Sequence, residues 1–269
     1  MSISPLFFWA GGFLAVSLVG LFVSSKTIKI DLEKNGDLIV AMLTILGTLV
    51  SVLLGLLVSS ADEQYRSMEA CVNSEATSIN EIFRLSHGLP QPTANILQDG
   101  CIDYCNKVIS DEWPSMEHGV TSTAVTNAYM SLSDAVVKFR PANDGEASVQ
   151  SALLSATSQI QQNRGLRIVA SRSTWTRRLL PLILTCAIVV LTCSYLYVGK
   201  GSLLLHAVLV GLVAITLGTN IGVIYLMTRP FSSEWTIQPE GFELSKTAMQ
   251  KYKSSLAPSA THEHSPAKP

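Results

Sequence analysis

Four stretches of this chain, residues 6–23, 38–61, 179–198 and 203–227, contain almost no charged residue, and each is long enough to cross a bilayer. A hydrocarbon core of about 30 Å takes roughly 20 apolar helical residues, and hydrocarbon leaves no water for unpaired backbone groups. Those two facts exclude a soluble globule and point to an all-α integral membrane protein with four transmembrane helices. Composition agrees, since 48% of the 269 residues are hydrophobic and only 14% are charged. The first stretch lacks the basic start of a signal peptide, and Lys26 stands where a cleavage site of small residues belongs. It is therefore read as an anchor.

An even number of crossings puts the N-terminus, residues 62–178 and the C-terminus on one side. Arg66, Arg164, Arg167, Arg172, Arg177, Arg178, Arg229 and Lys246 lie near the membrane there, against Lys26, Lys29, Lys34 and Lys200 opposite. The basic excess makes that side cytoplasmic, so the expected setting is a bacterial inner membrane with both termini inside. Cys71, Cys101 and Cys105 are then cytosolic and reduced. The Cys101/Cys105 pair has no second pair or His to complete a metal site, and it is read as a buried helical face.

The cytoplasmic middle is also helical. Tyr65, Met68, Val72, Ala76, Ile79 and Phe83 keep a helical apolar rhythm up to Gly88-Leu89-Pro90. Span and stalk thus read as one rod of about fifty residues, roughly 75 Å long. A second helix starts at a Thr93 cap and fades over 111–119, and a third runs from about Thr121 to Phe139. A fourth begins near Ala147 after a Pro/Asn/Asp/Gly turn and leads into the third span, where Pro181 sits near the membrane entry. The resulting division is 1–61 for spans one and two, 62–178 for a cytoplasmic bundle continuous with spans two and three, and 179–228 for spans three and four. A juxtamembrane segment, 229–253, and a disordered Pro/Ser-rich tail, 254–269, complete it.

Several features bear on function. The second span carries a small, weakly polar stripe, Thr44, Thr48, Ser51, Gly55 and Ser59, at steps of three or four. Such a stripe lets helices approach closely, or it lines a hydrated path. It is assigned to pore lining here. The small face of the fourth span, Gly211, Ala214, Gly218 and Gly222, with Asn220 nearby, is assigned to helix packing. No acidic residue occurs between Glu146 and Glu234. Within that interval Arg164, Arg167 and Arg178 fall within about 60° on a helical wheel, with Ser171 between them. They either meet anionic headgroups or, in an oligomer, form a basic ring for an anionic ligand such as a nucleotide or oligonucleotide. Glu69, Glu75 and Glu81 read as a solvated surface. Trp113 and Pro114, and Pro230 and Phe231 after the last span, read as structural anchors.

No Gly-rich phosphate loop, zinc motif or nucleophile–base pair is visible, so neither an enzyme nor a cofactor is expected. The segments SEATSINEIFRLSHGLPQP, YCNKVISDEWPSMEHG and RGLRIVAS, with RPF and PEGF after the last span, resemble the bacterial bestrophin-like family. The matching positions include Glu75, Ala76, Tyr104, Glu112, Trp113, Pro114, Arg164, Arg167, Pro230 and Phe231. The resemblance implies a four-span oligomeric protein with a helical cytoplasmic part that works as a channel. The reading is a cyclic homo-oligomer, tetramer or pentamer, enclosing an ion path along the second span and gated through the bundle. A narrower version is an effector channel controlled by an anionic ligand. The alternative is a non-conducting scaffold or sensor whose bundle docks a protein partner.

Overall fold

The computed structural model describes residues 5–27, 32–172, 175–196 and 202–256. Among the described residues nine α-helices follow in order: α1 (Pro5–Thr27), α2 (Leu32–Leu85), α3 (Thr93–Lys107), α4 (Trp113–Met116), α5 (Thr123–Lys138), α6 (Asp144–Ser171), α7 (Trp175–Leu196), α8 (Leu203–Met227) and α9 (Glu240–Leu256). No strand occurs among the described residues. Among the described residues four helices are long and apolar enough to cross a membrane: α1, α2, α7 and α8. The chain forms two compact units, one of residues 1–69 with 169–237, the other of 70–168 with 238–269. The single helix α2 contributes to both.

In the first unit α8 is the central element. Its Ala214 has no solvent exposure, and Gly211, Gly218 and Gly222 bring it close to α1. A Cβ added at Gly218 would lie 2.8 Å from the Trp9 carbonyl oxygen and 2.9 Å from the Ala10 Cα, so only glycine fits there. Between apolar helices in a membrane such backbone approach supplies the packing that water cannot drive. From α7, Ile183, Ala187, Val190 and Leu191 join the same cluster, as do Val50 and Leu54 of α2. Tyr195 of α7 covers Gly20 of α1 and donates to Ser17 Oγ at 3.2 Å. After α8, the Pro230 carbonyl accepts from Ile237 N at 2.8 Å and Thr236 Oγ1 at 3.2 Å, closing a loop over the buried Phe231.

The second unit is a helical bundle in which each helix lays one apolar stripe inward. Val72, Ala76, Ile79 and Ile82 of α2 meet Leu97, Cys101 and Tyr104 of α3, Val125 and Leu132 of α5, and Leu153, Ala156 and Ile160 of α6 in its buried core. Each large apolar side chain removed from water there contributes about 1.5–3 kcal/mol. Polar side chains set the helix starts. Ser122 Oγ accepts from Val125 N at 3.3 Å, and Asn143 Oδ1 accepts from Glu146 N at 2.9 Å while the Glu146 carboxylate accepts from Ala142 N.

Three local expectations change. Thr93 is the first helical residue, with Pro92 at the cap position. The segment expected to fade instead continues as a π-helical turn, Val108–Glu112, into α4, which ends before Gly119 at φ 69°. Helix α6 ends at Ser171 and α7 starts at Trp175, and the junction expected to join the bundle to the third span, 173–174, lies outside the described residues. Finally, most of the segment read as juxtamembrane is the 17-residue helix α9, whose Phe242, Ser245 and Met249 are buried in the second unit. The tail from 257 lies outside the described residues.

Candidate functional site

Arg164 and Arg167 lie one turn apart on α6, on the face that also buries Ala156, Thr157 and Ile160. Arg167 has no exposure at all. Its Nε and Nη2 donate to the two carboxylate oxygens of Glu75 on α2, both at 2.9 Å. Nη2 also donates to Glu112 Oε2 at 2.8 Å, and Nη1 lies 3.1 Å from the Met116 sulfur. The Tyr104 hydroxyl of α3 donates to Glu75 Oε1 at 2.7 Å. Arg164 completes the group: Nε and Nη2 reach Glu112 at 3.1 and 2.6 Å, and Nη2 also donates to Thr126 Oγ1 at 2.9 Å. Two carboxylates and two guanidiniums therefore cancel in charge inside the bundle. The Arg167 cation also stands 5.2 Å from the Trp113 ring and 5.8 Å from the Phe242 ring.

The π turn positions Glu112. Its wider winding brings Val108, Glu112 and Met116 inward together, so a carboxylate faces the core just before the Trp113-Pro114 corner. Trp113 packs edge-on to Phe242, with ring centroids 6.0 Å apart, and Pro114 is exposed on the first turn of α4. Burial works against the charge on Glu112, but the bonds from Arg164 and the charges of both arginines outweigh it and hold its carboxyl below the usual range. Burial likewise opposes the charge of Arg167, and the Glu75 carboxylate more than offsets this and raises the guanidinium above its ordinary value. The Tyr104 phenol is pushed well up by burial and by Glu75. The Cys105 thiol is pushed up to about 12, chiefly by burial.

This geometry corrects two readings. Glu75 has no solvent exposure and is the partner of Arg167, whereas Glu69 is exposed and Glu81 half-buried, so the three do not form one solvated surface. Arg164 and Arg167 do not stand free as a basic ring. Their forks close on carboxylates of the same chain, because charges taken from water need partners to remain charged. Ser171 ends α6 half-buried, and the Arg178 side chain lies outside the described residues. A sequence signal for the network did exist: Glu75 shares the inward α2 face with Val72, Ala76, Ile79 and Ile82.

In the first unit the part of α2 from 38 to 61 has three faces. Val50, Leu54 and Ala61 are buried. Ile45, Leu49, Val52 and Leu56 are large, apolar and exposed. Between these faces lie Thr44, Thr48, Ser51, Gly55 and Ser59, all exposed, none packed away within the chain. Thr44 Oγ1 and Thr48 Oγ1 each donate to the carbonyl four residues back at 2.8 Å. Ser51 and Gly55 also border a cavity of about 630 Å³, whose far wall includes Ser194 of α7 and Thr216 and Asn220 of α8.

Four membrane-length apolar helices and the strand-free bundle define an all-α integral membrane protein. The family model described as the bestrophin-like domain matches residues 11–242, and the chain belongs to the bestrophin-like family. Among solved structures, a variant of a membrane protein superposes with a TM-score of 0.66 at 8% identity, covering 93% of this chain and 99% of that one. A variant of a bacterial bestrophin homologue from Klebsiella pneumoniae gives a TM-score of 0.64 at 9% identity, covering 93% and 100%. Both likenesses are of fold. Among curated proteins none matches.

Proposed function

We propose that this protein is a homo-oligomeric ion channel of the bacterial inner membrane, with α2 lining the path and both termini in the cytoplasm. One observation carries the reading: the stripe Thr44–Thr48–Ser51–Gly55–Ser59 is left unpacked by its own chain, between a packed face and a large apolar face. A helix with three such faces suits a ring, where the small hydroxyl face turns to a hydrated axis and the large apolar face to lipid or a neighbour. One chain offers one such helix, so closure takes several copies around a cyclic axis. Membership of the bestrophin-like family supports the same reading. Gating through the bundle is supported by the continuity of α2 from Leu32 to Leu85. The pairing of Arg164 and Arg167 with Glu112 and Glu75 supports a structural task for these two arginines rather than a ligand-binding ring.

The test is conductance of the purified protein in planar bilayers with ion substitution. Gly55→Phe and Ser51→Trp are expected to reduce unitary conductance while the oligomer survives. Cysteine at position 48 or 51 is expected to react with water-soluble thiol reagents in the conducting protein. Conductance without labelling moves the path to another helix. A silent bilayer with intact oligomers leaves the scaffold reading in its place.

A further inference from the structure

In the first unit α2, α7 and α8 enclose a cavity of about 630 Å³. Pockets that hold small organic molecules run from roughly 300 to 1,000 Å³. The sequence of α2 makes this one. Gly47, Ser51 and Gly55 recur every four residues and so share one side of the helix, within about 80°. A Cβ added at Gly47 or at Gly55 would meet nothing within 4 Å. Leu212, Thr216 and Asn220 repeat the same spacing on α8, and Val190 and Ser194 of α7 complete the wall. Gly211, Gly218 and Gly222 meanwhile draw α8 onto α1, which leaves the glycine side of α2 unfilled.

The wall states the chemistry of an occupant. It contains no ionisable side chain, and Ser51 and Thr216 fall near the middle of the apolar stretches 38–61 and 203–227. A charged group there would have neither water nor a counter-charge. Apart from the two glycines and the polar Ser51, Ser194, Thr216 and Asn220, the lining is aliphatic. Three of those polar side chains donate along their own helices. Ser194 Oγ donates to the Val190 carbonyl, Thr216 Oγ1 to the Leu212 carbonyl and Asn220 Nδ2 to the Thr216 carbonyl, each at 2.9 Å. Those bonds use donors and leave the lone pairs of two hydroxyls and an amide oxygen. The polar head that complements them is itself a donor.

We infer that this cavity binds a neutral amphiphile dissolved in the membrane, an aliphatic body carrying one hydroxyl group. The site belongs to the first unit alone and does not depend on ion conduction. It is tested on the full-length protein in phosphatidylcholine vesicles by photolysis of a diazirine-bearing 1-octanol, with the adducts located by peptide mass spectrometry. Adducts within 43–55 and 212–220 are expected to saturate and to be displaced by excess 1-octanol but not by octane. Gly47→Phe is expected to fill the cavity and abolish the saturable adducts. Gly12→Phe, on an exposed position of α1 with equally open space, should leave them unchanged. Asn220→Leu should raise the 1-octanol concentration needed for displacement by about fivefold, the loss of one neutral hydrogen bond. Displacement by octane as effective as that by 1-octanol overturns the proposal and leaves a plain acyl chain as the occupant. Adducts that never saturate, or that are equal in wild type and Gly47→Phe, overturn it in favour of bulk lipid. Labelling of α1 with none in the cavity also overturns it and gives the space to a neighbouring copy of the chain.

Discussion

Arg167 touches no solvent, and all three of its guanidinium nitrogens have partners in Glu75, Glu112 and Met116. Truncating it to Ala would leave the Glu75 carboxylate buried without a cation and Glu112 with Arg164 alone. The expected loss is about 3–5 kcal/mol, read as a lower unfolding midpoint in denaturant. Arg167→Lys should recover only part of this, because one ammonium cannot fork across Glu75 and contact Glu112 as well. The same network predicts an acid-sensitive bundle. Glu112 is depressed below the ordinary carboxylate range, so its contribution is complete above its unfolded value and is lost as pH falls through the lower folded value. Melting at stepped pH should show stability falling from the ordinary carboxylate range downward. Glu112→Gln should start lower at neutral pH and show a flatter acid limb. An unchanged limb in that variant would move the sensitivity elsewhere.

Helices in this chain are fixed by two different kinds of packing. In the first unit, α8 depends on the absence of side chains: at Gly218 a single methyl would press on the backbone of Trp9 and Ala10. Gly218→Ala is therefore expected to destabilise the α1–α8 pair by about 1–3 kcal/mol. Gly47→Ala, where nothing lies within 4 Å of the added carbon, should be tolerated or slightly stabilising. Thermal unfolding of the two variants, with size-exclusion profiles as a check on assembly, separates these outcomes. In the second unit, ordinary amphipathic faces decide. Helix α9 follows that rule through Phe242, Ser245 and Met249, but its start was hidden by Pro239 and Gly241. Gly241 in fact allows close contact, since a Cβ there would lie 3.0 Å from Asn73 Oδ1 and 3.2 Å from the Ala76 Cβ.

For the whole molecule, the proposed topology rests on the basic residues that flank the spans. A reporter fused after residue 259 should behave as cytoplasmic, and a protease site inserted at Asn143 should be cut only from the cytoplasmic side. A periplasmic signal at either place would reverse the orientation of the channel. Asn143 sits in the turn ahead of α6, and residue 259 lies outside the described residues. Expression and insertion should therefore survive both changes.

Sequence by itself determined what depends on composition and period. The lengths of the apolar runs place four helices, because hydrocarbon tolerates no other backbone in these runs. The 3.6-residue rhythm also gives the inward faces of α2, α3 and α5, and the matched motifs lead to the family. Tertiary structure alone decided which charges are paired. Glu75 and Arg167 are 92 residues apart, and Glu112 and Arg164 are 52 apart. An arginine stripe without nearby acids looks free along a sequence, yet its partners arrive from other helices once the bundle closes. Satisfaction of a polar group is a property of three-dimensional neighbours, and no local period encodes it.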